Sequence, residues 1–469
     1  MTQDFDFVVI GAGSGGLTAA SFATQLGARV ALIEKNRIGG DCTWTGCVPS
    51  KALLKVAKVA HNARSATDFG IEVTSHSVDM ATVRNYVRHA IASVYQYETP
   101  EKLSEEGVVV FKGAARFLDT DTIQVGEEKI TGKKFLISTG ACPFIPPIPG
   151  LPDVPYFTHE NFFENDKLPE RLIILGAGPI GVEMAQAYQR LGSNVTVVDK
   201  ALLPRQDREA ANVILKVFSR EGVHFVQGLA TAVELVSNKI VVEVNEHKIS
   251  GDMLLVATGR KPNVSGMSLR NLGVNYDEKG IEVDDSLCTS VNHIYAAGDV
   301  IGGQQFTHLA AYQGFQAARN ALLPGNDRNN HKAVPYTIFT DPEVAQVGST
   351  EMEARERFGD SIRVAHRSLL RSDRAVCDNS LDGFIKIIHK ADGSVLGATI
   401  VSDHAGETIM EFVLAIEYKL KLQDLAEAIH VYPSYTMDAM RLAADFTIGK
   451  FTDGLSGAVA RQLAKLAMG

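Results

Sequence analysis

Cysteine is scarce in this chain of 469 residues, which holds only Cys42, Cys47, Cys142, Cys288 and Cys377. An odd, sparse set in a long chain excludes a disulfide scaffold and is expected of a protein kept in a reducing cytoplasm. Positive charge is not in excess: the net charge of −9 argues against nucleic acid as a partner. No apolar run approaches the roughly 18 residues of a membrane span. The acidic start Met1-Thr2-Gln3-Asp4 runs straight into an apolar segment, so no signal peptide is expected. Zinc usually takes four ligands, and no second CxxC or close Cys/His pair is present, so no metal site is expected. Low-complexity tracts and short repeats are also missing. What remains is an ordinary globular composition, 45% hydrophobic and 22% charged. Its length calls for three or four domains.

The first positive signal is a doubled motif. Phe5 to Ile10 reads as a short buried strand, followed at once by Gly11-Ala12-Gly13-Ser14-Gly15-Gly16 and an alanine-rich helix to about Leu26. A second strand, Arg29 to Ile33, ends at Glu34, 18 residues after Gly16. This is the dinucleotide fingerprint in its proper setting. Gly11 makes the tight turn, Gly13 lets the backbone approach a pyrophosphate, and Gly16 allows helix to pack on strand. The helix N-terminus faces the phosphates and Glu34 faces a ribose. The pattern recurs with strand Arg171 to Leu175, turn Gly176, Gly178 and Gly181, and strand Val195 to Val198 ending at Asp199. Two fingerprints imply two dinucleotides. FAD with a nicotinamide nucleotide is the usual pair, because flavin accepts a hydride and passes electrons on. Asp199 would repel a 2′-phosphate, which favours NADH over NADPH, although Lys200 and Arg205 nearby blunt the preference.

Cys42 and Cys47 lie just downstream of the first fingerprint. The pair reads as catalytic or metal-binding, as two free thiols, or as a structural link in a tight loop. It opens a helix expected from Ser50 onward, and a helix N-terminus favours thiolate. Cys142, Cys288 and Cys377 are most simply small buried residues.

The segment Gly39-Gly40-Asp41-Cys42-Thr43-Trp44-Thr45-Gly46-Cys47-Val48-Pro49-Ser50-Lys51 closely resembles the active-site segment of the class I pyridine nucleotide-disulfide oxidoreductases. That family includes dihydrolipoamide dehydrogenase, glutathione reductase and mercuric reductase. Ser138-Thr139-Gly140, Ala257-Thr258-Gly259-Arg260-Lys261-Pro262-Asn263, Ala296-Ala297-Gly298-Asp299 and Phe339-Thr340-Asp341-Pro342 resemble further family motifs. The resemblance implies an α/β, glutathione reductase-like fold with two Rossmann-like domains and a C-terminal α+β dimerisation domain. It divides the chain into an FAD domain (1–147), an NAD(P) domain (148–264), a central domain (265–334) and an interface domain (335–469). It implies one FAD per subunit, touched by Gly11, Gly13, Gly16, Glu34, Lys51, Gly140, Asp299, Thr307 and His308. NADH or NADPH would sit on Gly176, Gly178, Gly181, Asp199, Gly259 and Arg260. Thr307 and His308 would open a helix under the flavin. Cys47 would be the sulfur beside the flavin and Cys42 the interchange thiol of a redox-active disulfide, with Lys51 and Glu183 as an ion pair nearby. A homodimer is implied, with a small disulfide, a metal ion or a quinone-like molecule as acceptor.

The chain departs from the family form at Asp41, Trp44 and Thr45, and at Pro179, where several members carry a tyrosine lid. It departs most where disulfide exchange needs an acid–base group. In place of His-Pro-Thr-x-x-Glu it reads His430-Val431-Tyr432-Pro433-Ser434-Tyr435-Thr436-Met437. Tyr432 takes the histidine's place, and His430 lies two residues upstream. The run Pro433 to Ala444 leans toward mercuric reductases, yet no cysteine follows Cys377, where those enzymes carry a C-terminal pair. Dihydrolipoamide dehydrogenase and a flavin-bound thiol sensor of low turnover are the competing readings.

Overall fold

The computed structural model describes residues 2–75, 77–329, 331, 333–452 and 454–468, without the side chains of residues 2, 455 and 456. Two compact units divide it. One comprises Met1–Asp199 with Val226–Asn330, the other Lys200–Phe225 with His331–Gly469.

The larger unit is built on two parallel sheets. In the first, Thr2–Ile10 pairs in parallel with Val30–Glu34 on one side and with Glu128–Ile137 on the other. Val108–Lys112 extends one edge, and Thr122–Val125 and Ala115–Phe117 fold back antiparallel on the other. The short strand Ile294–Ala296 returns to pair with the end of Glu128–Ile137. Both faces of the central strand are buried: Phe7 and Val9 face one core, Val8 and Ile10 the other. Such two-sided burial is why the segment reads as a continuous apolar run rather than an alternating one. The strand starts earlier than its apolar pattern indicates. Thr2, Gln3 and Asp4 are carried by ladder bonds to Lys129, Ile130 and Thr131, which periodicity does not register. The second parallel sheet holds Asn194–Asp199, Arg171–Leu175 and Met253–Val256. Beside it lies an antiparallel meander, Ala230–Val236, Lys239–Val244 and His247–Gly251. Ala141–Pro143 and Arg260–Pro262 pair antiparallel where the chain crosses between the two nucleotide folds.

Both turns of the doubled motif take the same shape. Gly11 has φ +104°, and a Cβ there would stand 2.3 Å from the Ser138 carbonyl oxygen. A Cβ on Gly16 would stand 1.9 Å from the Gly11 carbonyl oxygen, so only glycine closes this turn. Gly176 and Gly181 repeat both constraints. The first helix, Ser14–Gln25, then packs against Thr307–Leu322 at glycine: a Cβ on Gly314 would lie 2.0 Å from the Gly15 carbonyl oxygen.

The smaller unit carries a five-stranded antiparallel sheet in the order Tyr336–Ile338, Glu343–Gly348, Val395–Ser402, Phe384–Lys390, Ile362–Ser368. Its core joins Ala345, Ile385, Ile400, Phe412, Leu422 and Ala443. The helix Arg208–Glu221 belongs here, anchored at its start. Buried Lys386 reaches Asp207 at 3.1 Å and Glu209 at 2.8 Å, and His366 Nε2 lies 2.8 Å from Glu209. An ammonium taken out of water is tolerated because several carboxylates surround it.

Gly314→Ala forces a methyl group into the Gly15 backbone. Overpacking of this kind costs on the order of 1–3 kcal/mol. The variant is expected to melt earlier and to lose flavin absorbance per polypeptide after desalting. Unchanged melting and flavin content would show that the helix pair can spread without consequence.

Candidate functional site

Each dinucleotide turn presents an uncapped helix start. Gly13 and Gly178 are the N-caps of Ser14–Gln25 and Pro179–Leu191, and neither helix has a side-chain cap. Around Gly178 a Cβ would meet nothing within 4 Å, and around Gly13 only the Gly40 Cα at 4.0 Å. Open space in front of unsatisfied N–H groups fits a diphosphate. Pro179 sits at the first helical position, where its missing N–H costs nothing. Glu34 and Asp199 stand at the strand ends, as expected. Glu34 also braces its own turn, accepting from Ala12 N at 2.8 Å and Asn36 N at 2.6 Å. Asp199 does the same for Ala177 N at 2.7 Å. Gly140 (φ +68°) and Gly259 (φ +135°) lie at the two crossings with open space beside them.

The cysteines occupy two consecutive helices. Cys42 is in Gly40–Trp44 and Cys47 opens Cys47–Ser65, so the second helix begins three residues before the expected Ser50. Its first turn closes through Ser50 N to Gly46 O at 3.1 Å. Gly39 N donates to Ala12 O at 2.8 Å, which fastens the cysteine segment to the first nucleotide turn. Both cysteines are free thiols, the reduced form of the pair that the motif implies. They hydrogen-bond to each other, and their surroundings drive them apart. Cys47 is pulled down to about 6: the hydrogen bond from Cys42 stabilises its thiolate, against burial, with help from Thr307 and the Lys51 ammonium. Cys42 is pushed far above an ordinary thiol by that same bond to Cys47, by burial and by the Cys47 charge. Cys47 Sγ lies 3.3 Å from Thr307 Oγ1 at the start of Thr307–Leu322, the helix start expected there. Lys51 Nζ bonds Glu183 Oε2 at 2.9 Å and Ser50 Oγ at 3.2 Å, and the Glu183 side chain is only 7% exposed. The ring of His308, next to Thr307, stacks on Phe306 with centroids 5.4 Å apart.

The Arg260 guanidinium bridges Asp299, at 2.9 Å, and Asp41. Burial opposes ionisation of Asp41, but His159, with Nε2 3.7 Å away, and Arg260 outweigh it and hold the carboxyl below its usual range. Burial raises Asp299 instead. Neither Asp41 nor His159 was singled out as a site residue. No motif marks His159, and Asp41 showed only as a departure from the family form.

Tyr432 and His430 lie in the other unit. Tyr432 is exposed, with the Arg441 guanidinium 5.9 Å from its ring centre. His430 Nδ1 faces Ala428 O at 2.8 Å and Nε2 faces Glu411 Oε1 at 3.0 Å. Both ring nitrogens are therefore engaged within one subunit. Glu411 is raised by burial, against the charge of His430. Among the described residues no cluster of three His, Cys, Asp or Glu side chains could hold a metal ion. No described helix is long and apolar enough to cross a membrane.

Two nucleotide folds, a dithiol at a helix start and a separate antiparallel unit define a flavoprotein oxidoreductase. The chain belongs to the pyridine nucleotide-disulphide oxidoreductases: residues 5–314 match that family's main model and residues 334–442 its dimerisation domain. It is 36% identical to a mercuric reductase of Bacillus cereus over 92% of this chain and 69% of that one. It is 34% identical to a dihydrolipoyl dehydrogenase of Haloferax volcanii over 95% and 96% of the two chains. A solved structure, the HOCl-induced flavoprotein disulfide reductase RclA from Escherichia coli, superposes with TM-score 0.85 at 29% identity, covering 94% of this chain and 99% of that one. The family implies FAD and a nicotinamide nucleotide as cofactors, and its dimerisation domain implies a homodimer.

If Lys51 and the helix start hold Cys47 as thiolate, iodoacetamide should modify the reduced protein with an apparent pKa of about 6, well below the ~8.5 of an ordinary thiol. Lys51→Met should move that profile upward. A profile unchanged by the substitution would remove Lys51 from the charge balance.

Proposed function

We propose that this protein is an FAD-dependent reductase in which electrons from NAD(P)H reach an acceptor through Cys42 and Cys47. The bound flavin supplies hydride acceptance and transfer of an electron pair to sulfur. The chain's own residues do the rest. Gly13 and Gly178 leave helix starts open for the two diphosphates, Asp299 would bind the ribityl chain of the flavin, and Thr307 and Lys51 would hold negative charge on Cys47. Cys42 stays protonated and meets the acceptor. The observation that carries this reading is the unequal pair, a thiolate-prone Cys47 against Thr307 and Lys51 beside a thiol-prone Cys42.

The acceptor is a small disulfide, a metal ion or a quinone-like molecule. Engagement of both His430 nitrogens and the tyrosine at position 432 weigh against dihydrolipoamide as the principal substrate, and a lipoamide assay separates that alternative. NADH is the favoured donor because Asp199 sits at the ribose end of the second fold, where a carboxylate repels a 2′-phosphate. The active form is a homodimer.

Anaerobic titration of the purified protein with NADH should produce a long-wavelength absorption band at two electrons per subunit, from the Cys47 thiolate lying against the flavin. Cys47→Ser should abolish that band. Direct bleaching of the flavin without it would take the cysteines out of the electron path. The kcat/KM for NADH should exceed that for NADPH by roughly an order of magnitude, since one unfavourable charge contact is worth about 1.4 kcal/mol or more. Equal values would remove the discriminating role of Asp199.

A further inference from the structure

Disulfide exchange at Cys42 calls for a proton partner. Tyrosine is a poor base at neutral pH, and His430 has both ring nitrogens engaged. We propose that Glu98, from the same subunit as Cys42, carries the proton for that thiol in place of the missing His-Pro histidine. This inference rests on the Cys42–Cys47 reading and adds a residue to it.

Glu98 lies between the helices Met80–Tyr95 and Pro100–Glu105. Its backbone N–H donates to Tyr95 O at 2.8 Å, closing the turn that follows Met80–Tyr95. Its Oε2 accepts from Thr43 Oγ1 at 3.0 Å, and buried Thr43 directly follows Cys42. A Cβ on Gly39 would stand 2.6 Å from the same oxygen, so a glycine keeps this approach open. One residue beyond Thr43, Trp44 packs on Tyr95 with centroids 4.9 Å apart and donates Nε1–H to Ile38 O at 2.7 Å. The helix end that delivers Glu98 is thus docked on the cysteine segment through a residue at which this chain departs from the family form. Cys42 is raised first by its bond to Cys47 and by burial, and the Glu98 charge adds to that rise. Of the other charged groups beside the pair, Lys51 and Glu183 act on Cys47, and Asp41 is paired with Arg260.

With the thiolate on Cys47, Glu98 takes the proton of Cys42, directly or through one water. Cys42 Sγ attacks one sulfur of an acceptor disulfide, the acceptor S–S bond breaks, and the departing thiolate takes the proton from Glu98. Cys47 then attacks Cys42 Sγ, the second thiolate leaves and is protonated from solvent, and the Cys42–Cys47 disulfide has formed. Two electrons have passed from the cysteine pair to the acceptor.

Proton delivery matters when the leaving thiol is basic and little when it is acidic. The test is single-turnover reoxidation of the NADH-reduced holoenzyme by hydroxyethyl disulfide, which releases an aliphatic thiol, and by bis(carboxynitrophenyl) disulfide, which releases an acidic aromatic one. Glu98→Gln should slow the aliphatic reaction by about a hundredfold, in the range of general acid–base effects, and the aromatic one by no more than about twofold. Glu98→Asp should restore part of the aliphatic rate, and it stands in for Glu98→Gln if that variant does not retain flavin. Equal slowing of both reactions, or of neither, would overturn the proposal, because loss of packing does not sense the leaving group. A Cys42→Ser protein reoxidised as fast as wild type would instead sink the cysteine-pair reading itself.

Discussion

A single close approach organises the larger unit. The Gly15 carbonyl fills the place where residue 314 would carry a side chain, so Ser14–Gln25 and Thr307–Leu322 meet at backbone distance. A second approach of the same kind joins the cysteine segment to the first nucleotide turn. A Cβ on Gly40 would stand 2.8 Å from the Gly13 Cα. Helix starts and cysteines are thereby held by backbone rather than by mobile side chains. Cys47 meets Thr307 because backbones carry them there, 260 residues apart in sequence.

The polarity of the sulfur pair follows from that placement. Cys47 stands where a helix begins, where a hydroxyl reaches it and where Lys51 lies one turn on. Cys42 stands one short helix earlier, where its bond to Cys47 and burial hold it protonated. Two identical side chains acquire opposite protonation preferences without any metal or added ligand. Glu183 keeps Lys51 in position and weakens its pull on Cys47, so the ion pair moderates as well as orients.

Much of this was legible in the chain because local constraints and long-range ones coincide at glycine. Gly11, Gly16, Gly176 and Gly181 mark the turns, and the helix at Thr307 and the strands ending at Glu34 and Asp199 follow within a residue or so. What was not legible depends on encounters between segments with no periodic signature. Arg260 turns to Asp41 and Asp299, carboxylates brought to it by two other segments. His430 finds Glu411 on a neighbouring helix, 19 residues away. Glu98 sits in a short connection whose composition announces nothing. Lys200–Phe225 joins the C-terminal unit, where Asp207 and Glu209 meet Lys386, a buried lysine in a strand that otherwise reads as apolar.

Trp44 is the only tryptophan in the chain. It lies between Cys42 and Cys47 in sequence, with its indole on Tyr95 and the Arg37 guanidinium 4.8 Å from its ring centre. All indole emission from this protein therefore originates in the cysteine segment. The molecule carries a built-in optical reporter of that segment, whose light responds without any label to what binds or ionises beside the indole.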